Sequence, residues 1–251
     1  TQVNAGDHPE SVGGSILNRP SAACRPTVGK VTSTTRIPLF PLGTSLVPGA
    51  LMPLHIFEPR YRRMLADTLK TNRLFAVAGV DPRRSQEITI EPPHRVASVG
   101  IVRACQENSD GTSDLLLQGL CRVEIQSIIR EQPYRRIAVR ALASEPGATP
   151  ETNLSLRKEL ARLVAQRQKF DQNGPKELVD FLKTVDDPEA FVDIAAFTLC
   201  RSPRFKQQLL EELNVNQRLH LLRDEVRREI EHLSLSRHAQ GSLPDDRIGL
   251  N

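Results

Sequence analysis

Tryptophan is absent, the aromatics are confined to 8 Phe and 2 Tyr, and only 2 Met occur in 251 residues. A core must therefore come from Leu, Ile and Val, each stabilising by roughly 1.5–3 kcal/mol when fully buried. Cysteine is scarce as well. Cys24, Cys105, Cys121 and Cys200 stand far apart with no CxxC pair, and the 6 His show neither HExxH nor HxxxH spacing. A zinc site needs ligands at short reciprocal spacings, so no metal is expected. Isolated thiols in apolar runs, such as Cys121 and Cys200, read as small buried hydrophobes in a reducing compartment. No apolar run reaches membrane-spanning length and none resembles a secretory leader, so no membrane partner is expected. Gly29-Lys30 lacks the upstream Gly of a phosphate-binding loop, and Gly14-Ser15 lacks the flanks of a nucleophile elbow. Neither sign of charge dominates. The 34 Lys and Arg are interspersed with 30 Asp and Glu, net +4, which describes a solvated surface. A nucleic-acid binder concentrates its basic residues on one face.

What is present divides the chain into four stretches. Residues 1–35 are rich in Gly, Ser, Thr and Pro without apolar periodicity, which predicts a disordered tail. Ser11 to Arg36 has no acidic residue, the composition of an organelle transit peptide, but Gly13, Gly14, Pro20 and Pro26 interrupt any long amphipathic helix. A cytoplasmic location is expected, with organelle targeting the competing reading. Residues 36–143 carry strand signals: Leu74–Val80, Glu87–Ile90, Val99–Cys105, Leu115–Gln118, Cys121–Ile129 and Arg136–Leu142 are short runs separated by Asp, Asn, Gly and Pro. They predict an antiparallel β subdomain with a hairpin at Asp110-Gly111. One helix interrupts it, with Pro59 at its first position and Tyr61, Leu65 and Leu69 on one face.

After the linker Ser144 to Pro150 the period changes to near 3.6, predicting a helical bundle over 144–233. Breaks fall at Asn173-Gly174-Pro175, Asp187-Pro188, Ser202-Pro203 and Asn214. The last helix carries the stripe Val215, Leu219, Leu222, Val226, Ile230 and Leu233, which can pack on the bundle or on a second copy as a homo-oligomer contact. Residues 234–251 are expected to fray. The fold class expected is α+β, a β-rich part followed by a helical bundle.

Three segments carry a resemblance. The first is PLFPLGTSLVPGALMPLHIFEPRYRRM (Pro38 to Met64), with PLFPL, Pro48-Gly49 and PLHIFEPRYR in succession. The second is GIVRACQENSDGTSDLLLQGLCRVEI (Gly100 to Ile125), with Gln118-Gly119 and Arg122, although Val123 stands where an aromatic is common. The third is FKQQLLEELNVNQRLHLL (Phe205 to Leu222). Together, over about Arg36 to Leu233, the chain resembles the N-terminal substrate-recognition domain of the Lon family of ATP-dependent proteases. The resemblance implies an antiparallel pseudobarrel similar to PUA domains plus a helical bundle. It also implies a non-catalytic module that binds unfolded or degron-bearing polypeptides in protein quality control, as an adaptor or chaperone-like factor, with a protease or chaperone as a further partner. The ATPase and peptidase that follow this domain in a full Lon have no room in 251 residues, so a stand-alone member is expected, not an enzyme.

The candidate polypeptide-binding residues are Met52, Leu54, His55, Phe57, Arg60 and Tyr61, beside an apolar groove between the β part and the bundle. The competing reading of these residues is structural: aromatic core, helix start and an ion pair of Glu58 with a nearby Arg. Gly119 reads as a bulge or a close strand approach, and Arg122 as an arginine on the wet face. The alternative function is RNA or small-ligand binding on the PUA-like part, with Arg60, Arg62, Arg63, Arg83-Arg84 and Arg135-Arg136 meeting phosphates.

Overall fold

The computed structural model describes residues 35–84, 91–170 and 176–241. The expected tail apart from Thr35, the strand expected at Glu87–Ile90 and the Asn173-Gly174-Pro175 break lie outside them. Six strands come first: β1 (Thr35–Leu42), β2 (Leu51–Ile56), β3 (Leu74–Gly79), β4 (Val96–Glu107), β5 (Ser113–Arg130) and β6 (Arg136–Ala141), with helix α1 (Pro59–Leu69) between β2 and β3. The helices α2 (Pro150–Phe170), α3 (Lys176–Thr184), α4 (Pro188–Leu199), α5 (Pro203–Glu211) and α6 (Val215–Gly241) follow. The α+β architecture is as expected.

The sheet order is β2-β5-β4-β3-β1-β6 with a further β5–β6 pairing. Five strands thus close into a ring through β5, and β2 hangs from β5 outside it. One pairing departs from the antiparallel expectation, since β1 runs parallel to β3 with Leu39 opposite Ala76. Helix α1 lies between β2 and β3 and takes part in the reversal such a pairing requires. Leu115–Gln118 and Cys121–Ile129, expected as two strands, form the single β5. Val99 pairs with Cys121 while Gly100 pairs with Gly119, so Leu120 is an inserted bulge residue rather than a break. The predicted turn at Gly111 is present, with φ +77°.

Ile37, Leu39, Ala76, Ala97, Val123 and Ile137 fill one β core; Phe40, Met52, Ile56, Met64, Leu65, Phe75 and Leu117 fill a second beneath α1. The bundle buries its own. Asp187 and Ser202 cap α4 and α5 by accepting from Ala190 and Phe205 N–H, with Pro at the next position of each helix. Asn214 likewise accepts from Gln217 N–H at 3.0 Å. The α6 stripe from Val215 to Ile230 is buried in the bundle core of this same chain, the first of the two packings expected for it. The helix also runs past Leu233 to Gly241. Ser234, expected to begin the frayed tail, turns its hydroxyl to Glu231 O (2.8 Å) and so remains compatible with helix.

Candidate functional site: the β2 face and the junction behind it

The segment leading into β2 turns at Val47-Pro48-Gly49-Ala50, where Ala50 N–H donates to Val47 O (3.3 Å) and Gly49 has φ +80°. Pro followed by Gly with positive φ suits a type II turn. The loop lies so close to β5 that a Cβ on Gly119 would stand 2.1 Å from Val47 O. That contact accounts for the Gly of the Gln118-Gly119 motif.

Along β2 the exposure alternates. Met52 and Ile56 point inward and are buried, Leu54 is partly buried, and Leu51, Pro53 and His55 face outward. Leu51 is 44% exposed, and Phe57, one residue past the strand, is 61% exposed. His55 stands opposite Asp114 in register, with Nδ1 2.8 Å from Asp114 Oδ1, and its ring stacks on Phe57 at 6.1 Å. Hydrogen bonds from Asn108 and then His55 hold the Asp114 carboxyl below the usual range. Pro59 starts α1 as expected. Glu58 precedes it without a capping bond and pairs instead with Arg60 (2.9 Å), which also faces Glu91 (3.3 Å) and lies over the Tyr61 ring (4.5 Å). Tyr61 packs edge-on against Phe40 at 4.6 Å; burial, then Glu91, pushes its phenol up to about 12.

Of the six candidates, His55 and Phe57 stand at the surface, Leu54 is half-covered, and Arg60 is engaged by two carboxylates. Met52 and Tyr61 belong to the core, at 5% and 6% exposure, and cannot touch a ligand directly. The sequence reading missed Leu51 and Pro53, although the period-two pattern through Met52, Leu54 and Ile56 places them on the opposite, outward side.

The apolar groove expected between the β part and the bundle is filled at its centre by charge. Arg122 of β5, expected on a wet face, is 2% exposed and donates through Nη1 and Nη2 to both oxygens of Asp193 on α4 (2.8 and 2.6 Å) and through Nε to Leu210 O (3.2 Å). Arg218 of α6 reaches the same carboxylate (2.7 Å), Ser144 (2.7 Å) and Glu189 (3.0 Å). Burial works against the Arg218 charge, but Asp193 and Glu189 outweigh it and its pKa is raised. Beside this cluster Gln207 of α5 accepts from Ser45 (2.6 Å) and donates to Val96 O (3.0 Å). Among the described residues Arg218 Nε is buried without a hydrogen-bond partner, and a buried ion cluster of this kind orients the parts it joins more than it adds stability.

Two open cavities of about 420 and 430 Å³ lie on the bundle, one lined by Arg167, Arg201, Glu225 and His232, the other by Glu151, Ser155, His220 and Arg223. Neither includes a candidate residue. Among the arginines offered to phosphates, Arg60, Arg63, Arg83 and Arg135 each face a carboxylate within 3.4 Å. Among the described residues no group of three His, Cys, Asp or Glu is placed to hold a metal, and no helix is long and apolar enough to cross a membrane.

Residues 36–228 match the family model of the ATP-dependent protease La (LON) substrate-binding domain. The chain belongs to that family. It is 25% identical over 227 residues to Lon protease 1 of Herpetosiphon aurantiacus, covering 87% of this chain and 28% of that protein. It is 26% identical over 202 residues to Lon protease of Heliobacterium modesticaldum, covering 80% and 25%. The chain thus spans about a quarter of the length of these relatives. The fold matches a Lon N-terminal domain protein from Xanthomonas campestris (TM-score 0.54, 24% identity, 75% of this chain and 96% of that one). It also matches the N-terminal domain of Mycobacterium avium complex Lon protease (TM-score 0.60, 18% identity, 77% and 98%).

Proposed function

We propose that this protein captures unfolded or degron-bearing polypeptide on the outward face of β2, acting as an adaptor or chaperone-like factor in protein quality control. The carrying observation is the row Leu51, Pro53, His55 and Phe57, apolar apart from His55, on a strand that among the described residues is bordered by β5 alone. Unfolded chains expose apolar side chains that a strip of this kind covers without strict sequence preference. Membership of a substrate-binding family agrees with the reading. Met52, Tyr61 and Ile56 hold the strip from beneath, and the Arg122–Asp193–Arg218 cluster fixes the barrel against the bundle.

Fluorescence anisotropy with a labelled, reduced and alkylated unfolded protein tests it. Binding should saturate, and Phe57→Ser should weaken it about tenfold, since covering a Phe side chain contributes roughly 1.5–3 kcal/mol. No binding at high micromolar concentration, or binding indifferent to Phe57, would reject the proposal.

A further inference from the structure

We infer that the client is held by its main chain, added as a further strand along the outer edge of β2 in a register set by Pro53. The inference rests on the proposed function and specifies how that site reads its substrate.

The ladder between β2 and β5 fixes which β2 groups face outward. Gly119 N–H donates to Ala50 O at 2.9 Å, and the next residues pair Leu51 with Gln118 and Met52 with Leu117. Hydrogen-bonded and non-bonded pairs alternate along an antiparallel ladder. Ala50 being in a bonded pair, Met52, Leu54 and Ile56 bond to β5, while Leu51, Pro53 and His55 turn their backbone groups away from it. Pro53 fits this assignment independently, because it sits where β5 asks for no N–H. Among the described residues no strand pairs with β2 on that outer side.

The edge therefore offers two N–H groups, of Leu51 and His55, and three carbonyls, of Leu51, Pro53 and His55. Successive outward groups lie about 6.6–6.8 Å apart, the two-residue repeat of an extended chain. Only an extended polypeptide backbone presents complementary partial charges at that repeat. The missing donor at Pro53 has a second effect: an edge interrupted in its middle accepts a short segment but is a poor template for continuous sheet growth. Leu51 and Phe57 then flank the added strand with apolar surface.

The probe is a fluorescein-labelled, end-blocked eight-residue peptide of alternating Val and Lys, made in three forms: unmethylated, N-methylated at every second residue so that one edge keeps its donors, and N-methylated at all residues. The first two should bind within about twofold of each other and the third at least tenfold more weakly. In the protein, Leu51→Pro and His55→Pro remove outward donors without touching the β5 ladder and should weaken the first peptide about tenfold, while His55→Ala, which keeps the backbone donor, should weaken it by less than His55→Pro does. Equal binding of all three peptides would overturn the inference and show capture by side chains alone. So would failure of the unmethylated peptide at millimolar concentration while unfolded protein still binds. Dimers that the half-methylated peptide dissociates would assign the edge to a second copy and equally overturn it. Binding of unfolded protein that depends on Phe57 would survive each of these results, which separates this inference from the function on which it rests.

Discussion

At the scale of single residues, Gly119 and Tyr61 carry the clearest consequences. A methyl group at Gly119 meets the Val47 carbonyl, which belongs to a turn already tied to β5 by Gly49 N–H and Gly119 N–H. Gly119→Ala should therefore destabilise by at least about 1–3 kcal/mol, the usual cost of overpacking, seen as a lower denaturation midpoint with unchanged slope. Tyr61 gives a pH prediction whose sign follows from its environment. The folded phenol ionises near 12 and the unfolded one near the ordinary 10, so above about pH 10 the unfolded chain releases its proton first. Stability is complete below pH 10 and falls as pH rises toward 12, by of order 1–3 kcal/mol. Tyr61→Phe should flatten this alkaline limb in urea titrations at pH 8 and 11; a limb that persists unchanged would place the effect elsewhere. These two residues also show what could be read in advance. The need for Gly in Gln118-Gly119 is legible as a bulge or a close backbone approach, but the identity of the approaching group, Val47 O, joins positions 72 apart in sequence, and no local pattern encodes that.

At the scale of elements, punctuation was legible and pairing was not. Asp187-Pro188 and Ser202-Pro203 start helices where capping chemistry puts them, and Pro59 starts α1 as a first-turn proline without a side-chain cap, because each of these signals and the helix it starts are neighbours in sequence. The parallel β1–β3 pairing is set by contacts across the ring, and the two prolines of β1, Pro38 and Pro41, disguise it as an irregular segment. Strand β2 was hidden in the same way by Pro53, although Met52, Leu54 and Ile56 carry an unbroken inward alternation. That proline should act at element level as well. Pro53→Val returns a donor to the outer edge and raises strand propensity. Its expected outcome is concentration-dependent association by light scattering; a mass equal to the parent's at every concentration would show that the edge is shielded.

At the scale of the whole molecule, the decisive feature is the charge cluster between barrel and bundle. Sequence reading placed Arg122 in water because Asp193, its partner, lies 71 positions away and nothing local marks the pair. Asp193→Ala leaves Arg122 and Arg218 buried with only the half-exposed Glu189 as a shared carboxylate, and losing one member of such a group costs about 3–5 kcal/mol. Calorimetry should show one transition for the parent and two for the variant as barrel and bundle uncouple; one cooperative transition at an unchanged temperature in the variant would mean that apolar contacts alone join them. The central claim concerns β2. Hydrogen–deuterium exchange of the protein saturated with reduced, alkylated unfolded protein tests it most directly. Protection should concentrate on Leu51 to Phe57 and leave α2 to α6 unchanged, whereas protection confined to the bundle, with the β2 segment exchanging as in the free protein, would contradict it.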